Sequence, residues 1–233
     1  PMAEFYNEKV KDGANVTAES YSSEVVVRNG DPYTWVQVSG QEQKDRKFST
    51  FNESEAQAVV AILLELKAKY SMSGNWFSPD KIRIITFYQA QVDYLRFLLR
   101  RYQLDVMVST VDASQGCEAD IVILSFVRGT SGHMGFLKDN RRLNVALTRA
   151  KFQLVCVGNA HAMADLEEKG GNIVLQKMAT DALSRSYHVQ APGPLPPPPK
   201  RAPPEDNTST KQVKKGKNKK SRKKKKSESN SQS

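Results

Sequence analysis

Three short runs constrain this chain more than anything else in it. Residues 81–87 (KIRIITF), 120–127 (DIVILSFV) and 152–158 (FQLVCVG) carry apolar side chains at neighbouring positions, not at every second one. A strand that is apolar on both sides must be covered on both sides, which is the condition of a parallel sheet inside an α/β fold. The segments between them support that reading. Residues 52–70 (NESEAQAVVAILLELKAKY) and 89–102 (QAQVDYLRFLLRRY) show helical spacing of apolar residues, and 139–150 (DNRRLNVALTRA) opens on Asp139 as a helix cap. Asn52 is expected to cap the first of these, with Glu55 closing a capping box. Residues 33–40 and 105–110 read as further strands, 160–187 as two short helices, and 3–13 as a short helix ending at Gly13. In open parallel sheets ligands bind at the carboxyl ends of strands, so the segments after Phe87, Ser109, Val127 and Gly158 are the places to search.

Charge divides the chain. The 233 residues carry a formal charge of +10, and residues 191–233 hold 13 Lys/Arg against 3 acids, so the remaining 190 residues are neutral. The terminal segment runs from a proline-rich spacer into KKGKNKKSRKKKK with almost nothing to bury. The expectation is a disordered tail serving as a nuclear-localisation signal or nucleic-acid arm, placing the protein in the nucleus, the cytoplasm or both. The proline stretch 195–199 reads as a stiff linker. Two cysteines and three scattered histidines, without CxxC or HxxxH spacing, give no zinc pattern. The apolar runs fall short of a membrane span, so no membrane partner is expected.

Two stretches carry chemistry. After the strand at 105–110 comes a polar turn with Gln115, Gly116 and Glu118. The glycine lets backbone approach a ligand, and the carboxylate can accept from sugar hydroxyls. In RRLNVALTRAK, Leu143, Ala146, Leu147 and Ala150 give one apolar helical face, while Arg142 and Arg149 stand two turns apart and are expected to project alike. An arginine there could act on phosphates, or pair on the surface with an acid such as Asp139.

The order of these stretches, with ITFYQAQVDYL upstream, resembles the second motor domain of superfamily 1 helicases of the nonsense-mediated-decay (up-frameshift) type, which includes senataxin-like enzymes. ITFYQAQVDYL resembles motif IV of that family, VSTVDASQGCEADIVILSFVR motif V, and GFLKDNRRLNVALTRAK motif VI. FNESEA is similar to the start of the helix before motif IV. The resemblance covers roughly residues 2–160. It implies a RecA-like P-loop NTPase fold over 24–190, with 1–23 as the end of the first motor domain or a connector and 191–233 as the tail.

The same resemblance implies the roles. Glu118 would accept from the ribose beside Gln115 and Gly116, Arg149 would be the arginine finger on the γ-phosphate, and Arg142 would support it. Thr86, Tyr88, Gln91, Thr110, Val111 and Asp112 would lie near single-stranded RNA or DNA. Phe87 stands where the family commonly has proline, and Ser114 where it commonly has an aromatic. No GxxxxGK[ST] and no acidic pair ending an apolar strand occur in the 233 residues. The expectation is an ATP-dependent RNA or RNA/DNA helicase, 5′→3′ by resemblance, of which this chain supplies one half. The N-terminal motor domain of a longer chain would hold the ATP-bound Mg2+, and this half alone would not turn over ATP. The competing expectation is a non-catalytic nucleic-acid-binding protein made from a truncated helicase half.

Overall fold

A computed structural model describes residues 33–70, 81–128, 134–165, 172–185, 188–191 and 193–199. The helix expected at 3–13 and the lysine-rich run lie outside them. Six parallel strands form one sheet: β1 (Tyr33–Gln37), β4 (Ile82–Thr86), β5 (Met107–Thr110), β6 (Ala119–Ser125), β7 (Ala150–Gly158) and β8 (His188–Gln190), in the order β5-β4-β6-β7-β1-β8. A two-stranded antiparallel hairpin, β2 (Gln43–Lys44) with β3 (Thr50–Phe51), stands apart from it. β6 is buried along its whole length, as an apolar run between two layers must be.

One face is covered by α1 (Glu53–Tyr70) and α2 (Gln89–Arg101), whose Val59, Leu63, Leu95 and Leu99 pack on Ile84, Ile121 and Val155. The other is covered by α3 (Asn140–Leu147), α4 (Ala160–Ala164) and α5 (Ile173–Ser184), with Leu143, Met163 and Met178 packed around Trp35, Leu124 and Phe126. Trp35 stacks on Phe126 with ring centres 5.1 Å apart and donates its indole N–H to the Gly158 carbonyl at 3.1 Å. Phe87, in the place of the family's proline, stacks on the same Phe126.

Local chemistry explains where the helices begin. Asp139 accepts from the backbone N–H of Arg141 and Arg142, Asn159 from that of Ala162, and Asn172 from those of Val174 and Leu175. Asn52 caps α1 by accepting from the Glu55 N–H at 3.2 Å. The reciprocal half of the expected capping box is absent. The Asn52 N–H donates to Gln91 instead, and the Glu55 carboxylate turns into the sheet.

The strand β8 and the hairpin were not expected, being too short to show a period. The end of the folded body also lies beyond residue 190. Ala191 donates to the Gln37 carbonyl, Leu195 packs against the core, and Tyr102 donates its hydroxyl to the Pro196 carbonyl at 2.8 Å. Proline residues here serve as a strap, because a chain with few N–H groups to satisfy can lie along a surface at little cost.

Candidate nucleotide and nucleic-acid site

Residues 111–118 carry the chain across the sheet. β5 ends level with Thr86, at the carboxyl edge of β4, whereas β6 begins two residues before Ile121, which lies opposite Ile82 at the amino edge. The crossover between them must therefore run the full height of the sheet without a long helix. It uses a single 3-10 turn, Asp112–Ser114, closed by the Ser114 N–H on the Val111 carbonyl. Ser114 is buried and donates its hydroxyl to the same carbonyl at 2.7 Å, so a small side chain tucked under the turn fills the place of the family's aromatic.

Beside the crossover, α3 runs in the same direction. Its lead-in touches the carboxyl edge, where the Phe136 N–H donates to the Tyr88 hydroxyl at 3.3 Å. It ends at the amino edge, where Ala119 donates to the Arg149 carbonyl at 3.1 Å and lies opposite Ala150. Crossover and helix are riveted near their starts. Arg142 grips both carboxylate oxygens of Asp112, Nε at 3.1 Å and Nη2 at 3.0 Å, while its guanidinium lies 4.5 Å from the Phe136 ring centre. Asp139 is a more distant partner at 3.9 Å.

This arrangement corrects two expectations. The segment after Ser109, singled out as the carboxyl end of a strand, delivers Glu118 to the amino edge of β6, with Arg149 next to it at the amino edge of β7. The carboxyl-end rule describes sheets whose crossovers are helices, and here a short irregular crossover carries the polar turn to the opposite edge. Arg142 and Arg149 also do not share a helical direction. α3 stops at Leu147, and Arg149 folds back to donate from Nε to the Val145 carbonyl at 2.9 Å and from Nη2 to the Thr148 hydroxyl at 3.1 Å. It thereby caps the Val145 carbonyl, which the helix end leaves without its i+4 N–H.

At the amino edge, Gln115, Gly116 and Glu118 are exposed. Gly116 has φ +77° and no atom within 4 Å of where a Cβ would stand, so the position demands glycine by conformation and leaves its front open. An exposed carboxylate next to open backbone and a half-buried arginine fits the hydroxyls and phosphates of a nucleotide.

At the carboxyl edge the outcome is mixed. Thr110 is half-buried and Asp112 exposed, but Thr86, Tyr88, Gln91 and Val111 are buried. These four side chains face into the fold, which leaves Thr110 and Asp112 as the members of the set open to the surface. The reason for Gln91 is explicit. It reads both backbone groups of Asn52, accepting from N–H at 2.8 Å and donating to C=O at 3.2 Å, and donates to the Ser125 hydroxyl at 3.0 Å. Ser125 in turn donates to Glu55 at 2.7 Å, and Glu55 also receives the Val127 N–H at 2.8 Å. Burial outweighs those two bonds and pushes the Glu55 carboxyl up to about 8, so it is held protonated at neutral pH. Val127 itself is a β-branched residue at φ +70°, a strained conformation held by the Glu55 and Asn52 contacts on either side of its peptide.

Arg128 follows, and no role for it was legible in advance. It donates to the Tyr88 hydroxyl at 3.0 Å and to the Thr50 hydroxyl at 3.1 Å, and pairs with Glu42. The available signal was its place directly after an apolar strand at the carboxyl edge.

The family model described as an AAA domain matches residues 1–161. An uncharacterized ATP-dependent helicase from Methanocaldococcus jannaschii is 35% identical over 201 residues, covering 76% of this chain and 29% of that protein. Helicase sen1 of Schizosaccharomyces pombe is 32% identical over 84% of this chain and 12% of its own length. The ATP-dependent helicase NAM7 of Saccharomyces cerevisiae is 32% identical over 70% of this chain and 17% of its own. A solved C-terminal domain of a possible DNA helicase from a Lactobacillus aligns with a TM-score of 0.43 at 16% identity, over 75% of this chain and 94% of that one. The chain spans less than a third of the length of each of these three relatives. It belongs to the AAA-domain family of superfamily 1 helicases, in the up-frameshift and senataxin-like group.

Proposed function

We propose that this chain is the C-terminal motor half of an ATP-dependent helicase acting on RNA or DNA, and that it hydrolyses ATP only together with an N-terminal half. One observation carries the reading: a single eight-residue crossover joins the carboxyl edge, with Thr110 and Asp112, to the amino edge, with Gly116 and Glu118 beside Arg149.

In this reading Glu118 accepts from ribose hydroxyls and Gly116 allows the close approach. Arg149 leaves the Val145 carbonyl and Thr148 hydroxyl to meet the γ-phosphate, exchanging two neutral acceptors for an anionic one. ATP with Mg2+ supplies the phosphoryl group and the metal charge, and the N-terminal half holds the metal. Because Arg142 locks Asp112 to α3, a shift of α3 on engaging nucleotide drags the crossover and moves Thr110 and Asp112 along the strand. The lysine-rich tail adds sequence-independent affinity and a nuclear address.

The test is Arg149→Ala in the full-length enzyme. ATP turnover falls about 10³-fold or more while nucleotide affinity stays within a few-fold, the signature of an arginine finger. Turnover within tenfold of wild type would remove the finger assignment and, with it, the helicase-half reading of the amino edge.

A further inference from the structure

The hairpin β2–β3 has no place in the motor as described so far, and its tip is built in an unusual way. Phe48 is 82% exposed and sits at φ +62°, where a bulky residue is rare. The tip that holds it there is closed. Asp45 donates its N–H to the Ser49 carbonyl at 2.9 Å, and its carboxylate accepts from the N–H groups of Lys47 at 2.9 Å and Ser49 at 2.8 Å. That use turns the one acidic group of the tip inward. Lys44, Arg46 and Lys47 are exposed and make no ion pair among the described residues.

The base of the hairpin is tied to the carboxyl edge of the sheet. The Ala90 N–H, at the start of α2, donates to the Ser49 hydroxyl at 3.1 Å. Arg128 bonds Thr50 and Glu42 on the hairpin and Tyr88 at the end of β4 with the same guanidinium. An exposed aromatic flanked by three exposed cations thus sits on a hairpin whose base is tied to the edge at which β4 ends.

We infer that the tip of this hairpin is a single-strand contact, with Phe48 stacking on a base and Lys44, Arg46 and Lys47 meeting the neighbouring phosphates. An aromatic face with surrounding positive charge is the combination that holds single strands without regard to sequence. The inference rests on the proposed motor, because it places the strand on the carboxyl edge.

Single-stranded RNA carrying 4-thiouridine is photo-crosslinked to the 233-residue chain and the adducts are mapped by mass spectrometry, with affinities read by anisotropy. Adducts are expected within 44–51 as well as near Thr110. Phe48→Ala weakens binding about 5- to 100-fold, and the salt slope stays as in wild type. The triple variant Lys44→Ala/Arg46→Ala/Lys47→Ala flattens the slope by about 2. Circular dichroism melts of both variants should match wild type, since all four side chains are exposed. Adducts near Thr110 with none in 44–51, and unchanged affinities, would overturn the hairpin contact alone. Adducts nowhere between 33 and 199 would overturn the motor reading with it.

Discussion

Two polar constellations lie on this sheet, and their residues look equally functional on paper. At the amino edge, Gln115, Gly116, Glu118 and Arg149 are open or half-open, and Arg149 is held only by bonds it can exchange. At the carboxyl edge, Gln91, Ser125, Glu55 and Asn52 are buried and every polar group named in that network has a partner inside the fold. The first set is arranged to meet something that arrives later. The second has already met everything it will touch, and it fixes where α1 and α2 sit relative to β6. A family motif therefore marks two kinds of work, and burial separates them.

The sharpest way to break the comparison is Gln91→Leu. If the buried set is structural, this change strands the Asn52 N–H, leaves the Asn52 carbonyl with the Ala56 N–H alone, and removes a donor to Ser125, costing roughly 3 kcal/mol. The melting temperature should fall by about 6–12 °C, with single-strand affinity below the transition unchanged. Lost affinity with an unchanged melt would move Gln91 into the strand contact.

Next comes the pH dependence of Glu55. Below its unfolded value of 4.5 both states carry the proton. Between there and about 8 the unfolded chain releases it while the folded chain keeps it, so stability falls steadily as pH rises and the loss is complete above about 8. Thermal melts at pH 5 and pH 9 should differ by about 8–15 °C for this group, with the lower value at pH 9, and Glu55→Gln should abolish that difference while matching wild type at pH 5. An equal pH slope in the variant would mean that the carboxyl is ionised in the fold.

Smaller effects probe the open set. Gly116→Ala forces an L side chain to φ +77° and should cost about 1 kcal/mol in stability, with a larger loss in nucleotide binding by the full-length enzyme. Asp112→Ala removes an exposed pair and should change stability by less than about 0.5 kcal/mol. Its signature would be elsewhere: strand-stimulated ATPase should drop relative to basal ATPase, since the rivet between crossover and α3 is gone. Equal changes in both rates would leave the rivet with no part in coupling.

Much of the architecture was legible because its causes are local. β4, β6 and β7 show as dense apolar runs, and α1, α2 and α3 as spaced apolar faces, with Asn52 at the start of α1 and Asp139 at that of α3. The turn at Gly116 and the cluster of acids and arginines around it were equally plain. The hairpin was not, since strands of two residues have no period to read. Nor was Arg128, whose three partners come from positions 42, 50 and 88.

What the sequence determined by itself was which of the longer segments are strands and helices, that they stack as a parallel sheet covered on both faces, and which residues have chemistry to offer. Those follow from side-chain period and capping, which act over a few residues. What only the tertiary structure decided was the edge on which each group emerges and whether it is open. Glu118 reaches the amino edge because β5 and β6 run parallel, so the eight residues between them must span the sheet's height. Glu55 loses its charge, and Gln91 its reach, because the neighbours that enclose them come from strands far away in the chain. Solvation is set by the whole packed arrangement, and no short stretch of sequence contains it.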